Sequence, residues 1–107
     1  QTAVVDKTTP NKVDQPKQYI IGTSTWTGTV SEAEEQFTTD TVNGIDIVKD
    51  INSLIPFTGK MQILNKNGSI LGEVNLLNGK LHGEEIILDE TGIIVERYIW
   101  NNGIEIK

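Results

Sequence analysis

The sequence predicts an all-β protein, built as a single antiparallel sheet of repeated β-hairpins. The first observation behind this prediction is that three glycines recur after the same interval of 24 residues. The second is the dipeptide Asn-Gly, which occurs several times and supplies the positive backbone φ that tight hairpin turns require. The third is that runs of strand length, rich in Ile, Val and Leu, lie between these turn signals.

The two clearest copies of the repeat are residues 57–80 and 81–104. The recurring glycines are Gly59, Gly68 and Gly79 in the first copy and Gly83, Gly92 and Gly103 in the second. Three of the glycines follow an asparagine, namely Asn67, Asn78 and Asn102. Because Asn and Gly tolerate the backbone conformations of turns, we predict a structural turn at each of these positions.

Between the turns, the apolar runs predict four strands. These are Lys60–Asn65, Ile70–Leu77, Glu84–Asp89 and Ile93–Trp100. Successive side chains of a strand point to opposite faces, so strict alternation places Ile94, Tyr98 and Trp100 together. We expect that face to form the core, because the matching positions of the equivalent strand are also mostly apolar.

Upstream, residues 26–56 are predicted to form a third, degenerate unit. Its start, Trp26-Thr27-Gly28, resembles the start of the next unit, but the segment is longer than either later copy. Ser31 and Glu34 have the spacing of a capping box, which is typical of the first turn of a helix. We therefore predict one short helical turn near residues 31–37.

These repeated residues resemble the MORN-repeat variant family, of the bacterial YwqK antitoxin-like type. The family unit is similar in its order of glycine, short strand, Asn-Gly turn, second strand ending in an aromatic residue, and further Asn-Gly. Tyr98 occupies the aromatic position, whereas Val74 stands there in the preceding unit. The resemblance implies a β-hairpin array used for protein contacts, sometimes on cell surfaces, and it brings no catalytic residues.

The chain of 107 residues is long enough for one domain. Residues 1–18 are rich in Thr, Lys, Gln and Pro, so we predict a flexible N-terminal tether followed by a folded domain over 19–107. A polar tether that starts at Gln1 is typical of a protein whose leader has been removed. We expect an exported protein, periplasmic, on the cell surface or secreted, rather than a cytoplasmic one.

The composition argues against several classes of function. A formal net charge of −6 disfavours nucleic acid as a partner, because binding to phosphates requires clustered Lys and Arg. No apolar run is long enough for a transmembrane segment. The absence of cysteine excludes disulfides and thiolate metal sites, and familiar catalytic or cofactor signatures are missing. We expect no enzyme activity and no cofactor.

Few side chains suggest chemistry of their own. His82 is the only histidine and stands where the other units have threonine, so we expect an exposed connection rather than a catalytic or metal site. Glu84-Glu85 would point to opposite faces of a strand, and Asp89-Glu90 falls at a predicted turn. The segment Asn43-Gly44-Ile45-Asp46 lacks the ligand spacing of a dedicated calcium loop.

Four residues are candidates for partner binding: Trp26, Arg97, Tyr98 and Trp100. These residue types dominate interface hot spots, although Tyr98 and Trp100 could instead belong to the core. We expect a non-catalytic binding or scaffolding domain that contacts a protein or glycan through a β-sheet face. Two alternatives stay open, an immunity or antitoxin protein that neutralises a toxin, and a structural module that self-associates through its edge strands.

Overall fold

The computed structural model describes residues 24–107; the tether predicted over 1–18 lies outside the described residues. In chain order the elements are β1 (Thr25–Thr29), α1 (Val30–Gln36), β2 (Phe37–Val42), β3 (Ile45–Asp50), β4 (Gly59–Leu64), β5 (Ile70–Leu77), β6 (Lys80–Leu81), β7 (Gly83–Leu88), β8 (Ile94–Asn101) and β9 (Ile104–Ile106). Strands predominate, so the all-β prediction is confirmed in its broad form. The four predicted strands correspond to β4, β5, β7 and β8, with ends that differ by at most one residue.

The prediction of a single antiparallel sheet is wrong, because the main sheet is mixed and a second sheet is present. The main sheet has seven strands, in the order β1-β4-β5-β7-β8-β9, with β6 also paired to β5. β1 runs parallel to β4, with Thr25 opposite Lys60, while the other pairs are antiparallel. β2 and β3 form the separate two-stranded sheet, so residues 26–56 are arranged differently from the later units.

The hairpins β4–β5 and β7–β8 have the same strand pairing when one is shifted by 24 residues. Gly59 lies opposite Leu76 in the first hairpin, and Gly83 lies opposite Trp100 in the second. The offset continues into the next connection, where the pairing of Leu76 with Leu81 corresponds to that of Trp100 with Glu105.

The turns are of two kinds. At Asn78-Gly79 and Asn102-Gly103 both residues have positive φ, as two-residue hairpin turns require. At Asn67-Gly68 only Gly68 has positive φ, and a longer loop is closed by the Asn65 N–H, which donates to the Ser69 carbonyl at 2.9 Å. The turn predicted at Asn67-Gly68 therefore lies in a longer loop and is not a tight two-residue turn.

A register shift near the end of each hairpin breaks the strict alternation of faces. In β8, Glu96 lies opposite Ile87 and Ile94 lies opposite Leu88, which leaves Val95 as an extra residue. Ile94 therefore shares the face of Arg97, and not the face of Tyr98 and Trp100 as strict alternation predicts. A bulge of this kind changes which side chains reach the core.

The predicted helical turn is present as α1, but it begins earlier than expected. Thr29 is the N-cap, and its hydroxyl accepts a hydrogen bond from the Glu32 N–H at 3.2 Å. The Glu32 carboxylate accepts in return from the Thr29 N–H at 2.8 Å. The capping box is thus Thr29 and Glu32, and the predicted pair of Ser31 and Glu34 is wrong by two residues.

The core lies between the two sheets, at the β1–β4–β5 end of the main sheet. Met61 and Leu76 are its buried hydrophobic side chains, with 7% and 2% of their surfaces exposed. Side chains of α1, β2 and β3 line one cavity together with Met61. The backbone joins the sheets as well, because the Val48 N–H donates to the Gly79 carbonyl at 2.8 Å.

Candidate binding surface

Trp26 belongs to a packed aromatic cluster rather than to an exposed surface. Its ring meets that of Phe37 edge to face, with centroids 5.3 Å apart, and Phe37 meets Phe57 in the same way at 5.4 Å. All three rings are half-buried between the two sheets. Such pairs add to the stability gained from burial, so the geometry favours the structural interpretation of Trp26.

The aromatic cluster forms the wall of an open cleft of about 520 Å³ beside the loop that follows β3. Asp50 organises that loop, because one carboxylate oxygen accepts from the N–H groups of Asn52 and Ser53, both at 2.9 Å. The other oxygen accepts from the Gln36 side chain at 2.7 Å. The backbone hydrogen bond from Ser53 is the main reason why the pKa of Asp50 is lowered.

Trp26 is far from the other three predicted partner-binding residues. Four strand spacings separate β1 from β8, which is about 19 Å at about 4.8 Å per step. Arg97 is also divided from Tyr98 and Trp100, because neighbouring residues of β8 point to opposite faces of the sheet. The structure therefore does not bring the four predicted residues together in one site.

Tyr98 and Trp100 lie on what we call the acidic face, formed by Glu85, Glu96 and Glu105 around these two rings. The Trp100 indole N–H donates to the Glu85 carboxylate at 2.9 Å. A hydrogen bond with Glu96 and then its negative charge raise the pKa of Tyr98, and the charges of Glu105 and Glu85 add to this effect. Both rings are half-buried at this end of the sheet.

The opposite face of the same strands carries large aliphatic side chains in contact with solvent. We call it the isoleucine face: Ile94, Ile99, Ile104 and Ile106, with 41%, 43%, 58% and 55% of their surfaces exposed. Ile99 lies directly opposite Ile106, so their side chains are neighbours across the strands. Arg97 lies on this face and pairs with Glu84 at 2.8 Å.

The isoleucine face was not predicted from the sequence. The alternation Ile104-Glu105-Ile106 is the signal that could have identified β9, but the segment is short and follows the last Asn-Gly turn. Exposure is harder to infer, because it depends on what packs against a strand.

His82 is half-buried, so the expectation of an exposed connection is wrong. Its Nδ1 accepts from the Asn102 N–H at 3.1 Å, just as the Thr58 hydroxyl accepts from the Asn78 N–H at 2.8 Å. The two side chains stand 24 positions apart and fix equivalent turns. The hydrogen bond to this turn explains the placement of the imidazole, and no catalytic role is needed to explain it.

The paired carboxylates also have structural roles. Glu84 and Glu85 point to opposite faces, toward Arg97 and Trp100. Asp89 accepts from the Thr91 hydroxyl at 2.6 Å and from the Ile93 N–H at 3.1 Å, and these hydrogen bonds, with that of Thr91 first, lower its pKa. Across residues 24–107, no group of three or more His, Asp or Glu side chains is placed to hold a metal ion.

Comparison with protein-family models, curated proteins and solved structures finds no match to this chain. The resemblance to the MORN-repeat variant family therefore stays a prediction. In the part of the chain that the structure describes, no helix is long and apolar enough to cross a membrane.

Proposed function

We propose that this protein is a non-catalytic binding domain that contacts another protein through its isoleucine face. The observation that carries the proposal is that Ile94, Ile99, Ile104 and Ile106 share one side of β8 and β9, each with more than 40% of its surface exposed. Ile99, Ile104 and Ile106 are neighbours across β8 and β9, and a group of exposed apolar side chains is typical of an interaction site. Aliphatic side chains favour a protein partner over a glycan, because carbohydrate sites rely on aromatic rings and polar groups.

The two repeated hairpins of the fold support this proposal. We propose that residues 57–80 and 81–104 are two units of a MORN-like β-hairpin repeat, because their pairing, turns and turn-fixing side chains coincide at an offset of 24 residues. Repeats of this kind stack neighbour on neighbour and present extended faces. The hydrogen bonds of Asp50, His82 and Asp89 stabilise turns, which also favours a role without catalysis.

The experiment compares partner capture by the full chain with that by a variant of the isoleucine face. The double substitution Ile104→Thr and Ile106→Thr keeps β-branched residues in the strand and removes apolar surface. Ile55→Thr is the matched control, because Ile55 is 66% exposed but lies in the loop after β3. We expect stability within about 0.5 kcal/mol of wild type in both variants, since the side chains are exposed.

Cell-envelope proteins captured by wild type and by the control should be lost with the double variant, as quantified by mass spectrometry. Equal capture by all three proteins, or a double variant that is strongly destabilised, would contradict the proposal. In the second case the isoleucine face would belong to the folded core of the domain rather than to a binding site.

The acidic face favours a second candidate, an immunity protein that neutralises a basic toxin. Glu85, Glu96 and Glu105 lie around Tyr98 and Trp100, and Arg and Lys are attracted both to carboxylates and to aromatic rings. A toxin encoded beside this protein, whose activity is suppressed by wild type and not by a Glu96→Gln and Glu105→Gln variant, would support it. Suppression that survives those substitutions would count against it.

A further inference from the structure

The outer edge of β8 is unpaired over part of its length. In the equivalent strand β5, the outer edge at Gly72 and Glu73 pairs with Ile87 and Ile86 of β7. The corresponding residues of β8 are Glu96 and Arg97, and no strand among residues 24–107 lies beside them. β9 covers only the far end of β8, where it pairs with Ile99–Asn101.

The backbone groups of Arg97 point toward this open side. Asn101 and Ile104 flank a two-residue turn, so their N–H and C=O groups face each other across β8 and β9. Backbone groups alternate in direction along a strand, so Ile99 and Arg97 direct theirs to the same side as Asn101. A row of unpaired groups at a sheet edge is a template for a further strand.

The two faces that border this edge differ sharply in chemistry. The acidic face carries Glu96, Glu85 and Glu105. The ion pairs among residues 24–107 involve Asp40, Glu73 and Glu84, so these three carboxylates have no Lys or Arg partner there. The isoleucine face on the other side is apolar apart from Asn101 and the ion pair of Arg97 with Glu84, whose charged groups are 2.8 Å apart.

We propose that the open edge of β8 binds an extended segment of another protein in which basic and aliphatic residues alternate. A strand added at this edge would place every second side chain on the acidic face and the others on the isoleucine face. Lys or Arg fits the positions that face the acidic side chains, and Val, Ile or Leu fits the positions that face the isoleucines. This inference rests on the proposed function and names the chemistry of its partner.

A second copy of this chain fits the edge less well. Two antiparallel β8 strands related by a two-fold axis at Glu96 would place the two Glu96 side chains opposite each other, which destabilises a strand pair. The formal net charge of −6 adds repulsion between copies. Charge complementarity therefore favours a basic segment from a different protein.

The test uses the full chain and three synthetic peptides of about nine residues, long enough to cover the open edge. The first peptide alternates lysine with valine, the second has the same composition with all lysines at one end, and the third has glutamate in place of lysine. Binding is followed through ¹H–¹⁵N amide shifts, which identify the residues that contact the peptide. We expect the first peptide to shift the Arg97 amide and its neighbours and to bind at least about tenfold more tightly than the third.

One pair of variants and one double variant separate the backbone contribution from the charge contribution. Arg97→Pro removes the outward N–H, whereas Arg97→Ala removes the same side chain and keeps that N–H, so the proline variant should bind about fivefold more weakly than the alanine variant. Glu96→Gln with Glu105→Gln should weaken binding and reduce its salt dependence. These glutamine variants keep the test decisive if Arg97→Pro fails to fold.

Equal affinity for the lysine and glutamate peptides would overturn the inference, as would binding of the grouped peptide as tight as that of the alternating one. Concentration-dependent dimerisation that protects the Arg97 amide would overturn it in favour of a second copy. If none of the peptides binds but protein capture still depends on Ile104 and Ile106, this inference fails and the proposed function stands. If that capture is also absent, both fail.

Discussion

The hairpins β4–β5 and β7–β8 have the same strand pairing but different surroundings. Met61 and Leu76 of the first are buried, with 7% and 2% of their surfaces exposed, whereas the residues 24 positions later in the second, Glu85 and Trp100, are half-buried. Equivalent backbones therefore carry buried side chains at one end of the sheet and half-buried ones at the other. The pairing pattern fixes the ladder, while packing from outside the ladder decides how far the side chains of each unit are exposed.

The largest expected difference between the two hairpins concerns their side chains. Leu76→Ala should lower the free energy of unfolding by about 2–4 kcal/mol, because Leu76 is 2% exposed and its removal leaves a cavity. Ile99→Ala, on the exposed face of the other hairpin, should lower it by less than about 1 kcal/mol. Urea unfolding of the two variants measures both values, and equal losses would show that Ile99 is packed as tightly as Leu76.

The turns offer a second comparison, between glycines with and without close neighbours. A Cβ atom at Gly79 would lie 2.6 Å from Ile47 and 2.7 Å from the Val48 carbonyl, whereas one at Gly92 would meet nothing within 4 Å. Both glycines have positive φ, which costs other residues about 1–2 kcal/mol. We expect Gly92→Ala to lower the free energy of unfolding by about that amount and Gly79→Ala to lower it by more. Thermal unfolding of the two variants measures both changes. A larger loss of stability for Gly92→Ala than for Gly79→Ala would contradict the contact between β3 and the turn at Gly79.

The side chains that fix the turns provide a third comparison. His82→Ala should cost about 1 kcal/mol, because the Asn102 N–H loses its acceptor at 3.1 Å. His82→Thr should recover much of that loss, since Thr58 performs the same task at the equivalent turn. Chemical denaturation of both variants tests this. If threonine is no better than alanine, the two turns are not equivalent.

The smallest effect is expected from the loops that join the paired strands. Asp89 and Asn65 occupy equivalent positions, and each side-chain oxygen accepts the N–H two residues later. The folded-state pKa of Asp89 lies below 3.8, so its ionised form stabilises the protein above that pH, and this stabilisation is lost as pH falls through the folded-state pKa.

Asp89→Asn should therefore fold normally at pH 7 but show a flatter decline in melting temperature below pH 4 than wild type. Thermal unfolding from pH 7 to pH 3 measures the difference. Some decline should remain in the variant, because Asp50 also has a lowered pKa. If the melting temperatures of the two proteins fall in parallel with pH, the hydrogen bonds to the Asp89 carboxylate do not stabilise the folded state.

Local features of the fold were predictable from the sequence, and nonlocal ones were not. Gly68 and Gly92 mark equivalent loops because positive φ restricts the choice of residue at that position itself. The parallel pairing of β1 with β4 joins residues 35 positions apart, and no local pattern records it. The bulge at Val95 was missed because residues 93–95 are all apolar, so the sequence does not mark the change of face.

The candidate site was predictable only in part. Arg97 was identified by residue type and does border the proposed binding edge. Trp26 was identified on the same ground but packs against Phe37, a contact that depends on how the second sheet folds over the first. The exposure of Ile104 and Ile106 follows from the lack of a covering element among the described residues, which residue types and spacing do not encode.

The parallel pairing of β1 with β4 also has a consequence for the order of folding. The hairpins close loops of few residues, whereas β1 must find a partner 35 positions away, and loop-closure entropy rises with that separation. Long-range pairing is a slow event in the folding of small domains. We expect the hairpin ladder to form first and β1 to join it last, so the fluorescence of Trp26 would report the final step while that of Trp100 reports an earlier one.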